Sequence, residues 1–239
     1  MTDPLPSGST IGILGGGQLG RMLAMAAARL GYRAHIFEPN AAPAAQVADA
    51  WTQADYTDLD ALRSFAEACD VLTFEFENIP ADALDVIAEV APLHPNRRAL
   101  EVSQDRLIEK SFLRDLGLAT APFAALTSDI QADLGQTGIP AILKTRRFGY
   151  DGKGQARITD ITQAQAALDT LQGAPAIAEG FVNFTKEISV IAARNPQGEV
   201  AAFDPGENVH ENGILASTTV PAAIPPRLRT DAVLIASQI

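Results

Sequence analysis

Apolar residues along this chain recur at two spacings. Residues 11–14 form a short apolar run, and Leu19, Met22, Leu23, Ala26, Ala27 and Leu30 then follow at helical spacing. Gly31 is a natural stop for that helix. Residues 32–37 predict the next strand, closed by Glu38. Thr57-Asp58-Leu59-Asp60 opens a further helix, with Leu59, Leu62 and Ala66 on its inner face. Residues 71–77, VLTFEFE, alternate, so that Thr73, Glu75 and Glu77 fall on one side and Leu72, Phe74 and Phe76 on the other. Pro80 suits the first position of a helix whose Leu84, Ile87 and Ala88 face inward. Strands alternating with helices predict a parallel sheet, and this first domain closes near Pro95.

The second half has a different rhythm. Ser103 can cap a helix running to Leu116, with Leu107, Ile108, Phe112, Leu113 and Leu116 apolar and Gly117 as its stop. Strands are predicted around 123–126, 141–144 and 155–158, with a short helix near 128–134. Asp160 can cap a helix presenting Ile161, Ala164, Leu168 and Leu171. Residues 176–182 and 187–193 predict two more strands, the latter joined through Asn195-Pro196-Gln197-Gly198 to residues 199–203. This half is strand-rich and antiparallel in character. In residues 226–239, Leu228, Ala232, Ile235, Ala236 and Ile239 keep helical spacing up to the last residue. No stop signal follows, which predicts a C-terminally truncated chain.

Composition narrows the class. A length of 239 residues suits one large domain or two, at roughly 100–200 residues each. With 18 basic against 29 acidic residues, the net charge is −11. That argues against non-specific binding to nucleic acid or acidic membranes, which needs a basic face. The first ten residues lack the basic and apolar regions of a signal peptide, and no apolar run approaches the ~20 residues of a membrane span. A cytosolic setting is expected. The single Cys69 excludes an intramolecular disulfide and a cysteine-based metal site. It is expected to be a small buried hydrophobe.

Several stretches carry candidate chemistry. Gly15, Gly17 and Gly20 make a G-x-G-x-x-G pattern between strand and helix, with Glu38 18 residues beyond. Alone this reads as a dinucleotide fingerprint, or as a tight turn that receives another phosphate or none. Glu75 and Glu77 end a strand where open α/β sheets bind ligands, or form a solvated edge. Arg106 lies in the first turn of its helix, the unfavourable end for a cation, so it either reaches an anion or is a surface arginine. In AILKTRRFGYDGKGQA, residues 141–156, an apolar strand leads into Lys144, Arg146, Arg147 and Lys153 among Gly149, Gly152 and Gly154. Backbone amides of such glycines approach anions closely and lysines supply the countercharge, although a solvated hairpin turn has the same composition. His210 lies in a polar segment, GENVHENG, with structural and catalytic readings both open. His35 and His94 read as structural.

Taken together, GILGGGQLGRML, TFEFENIP, QDRLIEK, KTRRFGYDGKGQ, EGFVNFTKEISVI and ENVHENGIL resemble the ATP-grasp enzymes. The likeness is strongest to the N5-carboxyaminoimidazole ribonucleotide synthase family of purine biosynthesis, and it spans nearly all of residues 11–222. The resemblance implies an α/β chain: a tail (1–10), a Rossmann-like parallel-sheet pre-ATP-grasp domain (11–100) that does not bind NAD, and an α+β ATP-grasp domain. The latter has a small subdomain with a glycine-rich flap (101–182) and the start of a large subdomain (183–239), incomplete at the C-terminus. It implies ATP-dependent carboxylation of aminoimidazole ribonucleotide with bicarbonate, a C–N ligase reaction passing through carboxyphosphate and releasing ADP and phosphate.

By the same resemblance, Arg106 and Lys144 contact the ATP phosphates or flank the ATP site. Gly149, Tyr150, Asp151, Gly152, Lys153, Gly154 and Gln155 form the flap. Glu179, Gly180, Phe181 and Val182 read adenine, Glu187 holds the ribose, and His210 completes the pocket. Gln18, Leu19, Glu75, Tyr150 and Asp151 face the ribonucleotide. Lys144 is a catalytic cation, and Asp151 is expected to position or deprotonate the amine. The family also implies Mg2+, with ligands beyond residue 239, and a homodimer. The chain alone is therefore expected to bind nucleotide weakly and not to turn over. FDPGENVH departs from the more apolar strand usual before this piece in the family. Another ATP-grasp ligase, an NAD oxidoreductase and a non-catalytic fragment or paralogue are the competing readings.

Overall fold

The computed structural model describes residues 4–149, 153–211 and 213–239. The chain divides into two compact units, one ending at Gln104 and the other Asp105–Ile239. The first holds β1 (Thr10–Leu14), α1 (Gln18–Arg29), β2 (Arg33–Phe37), β3 (Ala50–Thr52), α2 (Leu59–Glu67), β4 (Val71–Phe74), α3 (Ala81–Ala88) and α4 (Arg97–Ser103). Its sheet runs β3-β2-β1-β4, and every pair is parallel. β1 is therefore covered on both faces. Ile13 joins Ala24, Ala34, Ile36 and Ala44 on one side. Leu14 joins Phe37, Leu62, Phe65, Leu72, Leu84 and Ile87 in the larger core on the other.

The α1 face that packs inward is not the one its large residues suggest. Gly20, Ala24 and Ala27 are buried, whereas Leu19, Met22, Leu23 and Leu30 are exposed. The helix leaves the sheet so closely that a Cβ on Gly20 would stand 2.6 Å from the Gly15 carbonyl oxygen. Only small residues fit that approach. Leu59 is likewise exposed, and Leu62, Phe65 and Ala66 carry the inner face of α2. β4 stops at Phe74, and Pro80 is the cap of α3 rather than its first residue. His35 is structural: its Nε2 lies 2.8 Å from Thr52 Oγ1 and its ring meets Phe65 edge-on. Cys69 donates to the Phe65 carbonyl at 3.2 Å. Burial, then the charge of Asp70, pushes its thiol up to about 12.

The second unit holds α5 (Arg106–Asp115), β5 (Phe123–Ala125), α6 (Ile130–Thr137), β6 (Ala141–Thr145), β7 (Gln155–Ile158), α7 (Ala164–Thr170) and β8 (Ala176–Gly180). It continues with β9 (Glu187–Ser189), β10 (Ala192–Arg194), β11 (Val200–Ala202), β12 (Gly206–Glu211), β13 (Ile214–Thr219) and α8 (Pro226–Ala236). One antiparallel sheet runs β5-β8-β6-β7. Leu134, Ala141, Leu143, Ile158, Leu171 and Ala178 form the core beneath it. β13-β12-β9 and β10-β11 are separate antiparallel groups. The apolar run 187–193 is thus split between two sheets. The polar stretch 206–219 is a hairpin that composition hid.

α5 begins later than Ser103, which ends α4. Asp105 is its cap, accepting from the Leu107 and Ile108 amides at 2.9 and 3.4 Å. The same carboxylate takes Arg146 through Nε at 3.0 Å and Nη2 at 2.7 Å. Burial pushes the Asp105 carboxyl up, but Arg146 and the two amides outweigh it and hold it below the usual carboxylate range.

Its linkage to pH has a definite sign. A depressed folded-state pKa contributes stability that is complete above the unfolded value, about 3.9 for an aspartate, and is lost as pH falls through the folded value. Asp105→Asn, which keeps an acceptor but removes the charge, should lie below wild type in unfolding free energy near neutral pH. Urea titrations over a pH series should show that gap narrowing on acidification below about pH 4; a gap that widens there refutes the linkage.

Candidate functional site

In the first unit the candidate groups gather at the C-terminal ends of β1 and β4. Gly15, at φ +108°, turns the chain out of β1. The next two amides point at carboxylates of the same chain. Gly16 N donates to Glu38 Oε2 at 3.1 Å, and Gly17 N donates to Glu75 Oε1 at 2.9 Å. Gly17 has no side chain to cap α1, and its first turn carries no acidic residue. Glu38 and Glu75 therefore supply the negative charge that a helix N-terminus favours. Tyr56 braces the arrangement by donating to Glu38 Oε2 at 3.3 Å and to the Phe37 carbonyl at 3.4 Å. Burial, then the charges of Glu38 and Glu75, raises its phenol far above the usual range.

This geometry answers the dinucleotide reading of the glycine pattern. Glu38 sits just past β2, where a dinucleotide fold places its ribose-binding acid. Here it folds back into the turn. A pyrophosphate at these amides would have to displace both carboxylates, and a Cβ at Gly15 would lie 2.8 Å from Glu75 Cγ and Oε1. Gln18 and Leu19 are exposed directly after the turn, and Glu75 is half-buried beside it. The expected ribonucleotide-facing residues Gln18, Leu19 and Glu75 are thus neighbours. Tyr150, Asp151 and Gly152 lie outside the described residues. Glu77 is exposed, past the end of β4.

In the second unit the groups converge at the end of β6. Lys144 Nζ lies 2.9 Å from Glu179 Oε2, joining β6 to β8. Lys110 Nζ on α5 lies 3.5 Å from the same oxygen. Arg106 Nη1 donates to the Thr145 carbonyl and Nη2 to the Gly149 carbonyl, each at 2.8 Å. The base of the loop closes where Thr145 N donates to the Gly154 carbonyl at 2.8 Å. Two of its glycines are closely packed. A Cβ on Gly154, at φ +67°, would lie 2.6 Å from Thr145 Oγ1, and one on Gly149 would lie 3.0 Å from Arg106 Nη1. Thr145 Oγ1 is buried beneath them and has no hydrogen-bond partner among the described residues.

The remaining predicted residues fall as follows. Lys153 and Gln155 are exposed, Gln155 in register with Lys144 across β6 and β7. Gly180 ends β8, buried against the Thr137 carbonyl. Phe181 and Val182 lie past the end of that strand and are exposed. The Arg157 guanidinium stands 4.3 Å from the Phe181 ring centre. Glu187 and His210 come together across β9 and β12, with Nδ1 of the histidine 3.3 Å from Oε1 of the glutamate. Lys110 was missed in the sequence. Its signal was there in QDRLIEK: it stands four residues after Arg106, on the same face of α5.

Among the described residues, no group of three or more His, Cys, Asp or Glu side chains is placed to hold a metal ion. The Glu179 carboxylate already faces two ammonium groups. Among the same residues, no helix is long and apolar enough to cross a membrane.

Comparison with known proteins places this geometry. Residues 8–104 match the ribonucleotide synthetase preATP-grasp domain, and residues 111–239 match the ATP-grasp domain. The chain belongs to the ATP-grasp family. It is 56% identical over 225 residues to the N5-carboxyaminoimidazole ribonucleotide synthase of Brucella melitensis, covering 92% of this chain and 62% of that protein. The Staphylococcus aureus N5-carboxyaminoimidazole synthetase complexed with ADP superposes with a TM-score of 0.92 at 37% identity, covering 98% of this chain and 63% of that one. The Aspergillus clavatus synthase in complex with ADP and 5-aminoimidazole ribonucleotide gives 0.87 at 28% identity, covering 97% and 62%. The chain spans about three fifths of the length of the curated synthases it matches.

The carboxylate-filled turn can be tested directly. Glu75→Ala removes the acceptor that Gly17 N uses and should cost roughly 1 kcal/mol, the scale of a lost helix cap. Glu75→Gln should recover most of it. Thermal unfolding of the two variants measures this, and an alanine variant as stable as wild type would show that Glu75 does not cap α1.

Proposed function

We propose that the protein is an ATP-dependent C–N ligase. It joins bicarbonate to the exocyclic amine of 5-aminoimidazole ribonucleotide, with release of ADP and phosphate. The observation that carries this reading is the cationic end of β6. In a chain of net charge −11, Lys144, Lys110, Arg106 and Arg146 collect around one glycine-rich loop. Likeness to synthases named with ADP and with the ribonucleotide supports the choice of substrates.

The chemistry matches what such residues do well. ATP and bicarbonate are both anionic, so moving a phosphoryl group between them calls for cations fixed in advance around the spreading negative charge. Lys144 is the group for the nucleotide phosphates, and Arg106, tied to the Thr145 and Gly149 carbonyls, contacts them or flanks their site. Residues 149–155 form the cover that keeps water from the carboxyphosphate mixed anhydride. Residues 179–182 take the adenine, and Glu187 with His210 the ribose side of the nucleotide. Gln18, Leu19 and Glu75, with Tyr150 and Asp151, take the ribonucleotide, whose amine then captures either the anhydride, expelling phosphate, or the CO2 that the anhydride releases together with phosphate. Asp151 positions or deprotonates that amine. The same reading includes Mg2+ as charge-neutralising partner of the phosphates, a cytosolic setting and a homodimer, all resting on likeness to the relatives.

Calorimetric titration with ADP tests the nucleotide assignment. The chain should bind ADP, and Lys144→Met should weaken binding roughly tenfold or more, as expected when a charge-assisted contact to phosphate is removed. This chain alone should give no turnover; ADP release that requires both bicarbonate and aminoimidazole ribonucleotide would establish the reaction and overturn that expectation. Tight NADH binding without ADP binding overturns the reading. ADP release driven by a different carboxylate or amine reassigns the substrate within the same family.

A further inference from the structure

The Lys110–Glu179–Lys144 cluster holds two ammonium groups and one carboxylate, with both cations directed at the same oxygen, Oε2. The side chains are 16%, 9% and 24% exposed respectively. Three charges this sheltered interact far more strongly than surface pairs, and their sum is +1. The cluster is one negative charge short. It is also redundant from the carboxylate's side: Glu179 needs one cation close by and has two.

The two lysines are not equivalent. Lys144 is the more exposed, and it sits at the end of β6, where the basic glycine-rich loop begins. Lys110 is the more buried, held on α5 one turn beyond Arg106. A cation that swings from Glu179 to an incoming anion would ordinarily leave a nearly buried carboxylate unpaired, at considerable cost. With Lys110 beside it, Glu179 keeps a partner.

We infer that Lys110 is a positioning residue that shares Glu179 with Lys144. It lets Lys144 move from the carboxylate to a phosphate oxygen of a nucleoside di- or triphosphate. Lys110 itself need not touch the nucleotide. The inference rests on the nucleotide reading above for the identity of the anion, and on the cluster geometry for the sharing.

A coupling measurement separates this role from a merely structural one. Lys110→Met should weaken ADP binding roughly tenfold in the wild-type background and less than about threefold in a Glu179→Gln background, where no carboxylate waits to be left unpaired. Lys110→Arg, which keeps the charge, should retain most of the affinity. A nucleotide-free readout accompanies it: acylation of Lys144 by a succinimidyl ester, mapped by mass spectrometry. Lys144 should label more slowly in Lys110→Met, because Glu179 then has one partner to hold, and faster in Glu179→Gln. Equal losses of ADP affinity in both backgrounds, no loss in either, or unchanged labelling each overturn the sharing. If wild type binds no ADP while the labelling changes as expected, the nucleotide reading fails and the charge sharing stands.

Discussion

A carboxylate held almost out of water has to be given cations, and the second unit is arranged around that need. Glu179 stands on β8, which pairs with β5 on one side and β6 on the other. Its partners arrive from both directions of the chain, Lys110 from the helix before the sheet and Lys144 from the adjacent strand. The arginines at the base of the loop follow the same logic. Asp105 fixes Arg146, and Arg106 fixes the carbonyls of Thr145 and Gly149. The positive charge at the loop is therefore tied to backbone and carboxylates already in place. A basic loop left to solvent would lose much of its ordering on binding an anion; one tied this way has met part of that cost in folding.

The first unit applies the inverse arrangement. Its turn offers backbone amides where an anion would be welcome, and the chain fills that place with its own Glu38 and Glu75. The two halves thus differ in what they leave for a ligand: excess positive charge in one, carboxylates and an exposed helix start in the other. A glycine pattern shared with dinucleotide-binding folds says only that the backbone can come close to something. What comes close is decided by side chains 20 to 60 residues away.

That distance explains which parts were legible in the sequence. The parallel strands and the helix after the glycine turn were readable because each announces itself within a dozen residues. Residues 141–156 were readable as a basic strand-to-loop segment for the same reason. The pairings were not. Nothing near Gly17 indicates that Glu75 will accept its amide, and nothing near Lys144 indicates Glu179. The inward face of α1 was misread because burial there is set by how near the backbone approaches, which favours Gly20, Ala24 and Ala27 over larger neighbours. The hairpin 206–219 was missed because its strands are largely exposed, so the usual apolar alternation is absent. Glu187 and His210 were named through family likeness. Their meeting across β9 and β12 depends on a pairing that local spacing does not encode.

Cys69 carries a consequence of a different kind. Its thiol is tucked against the Phe65 carbonyl and the His35 ring, and its acidity is suppressed to about 12. At physiological pH almost none of it is thiolate, the form that attacks disulfides, peroxides and alkylating reagents. The only sulfhydryl in the sequence is therefore chemically quiet. A cysteine placed on the loop or beside the glycine turn would react far faster than Cys69. A fluorophore or spin label could then be attached at one chosen point without first removing the native residue.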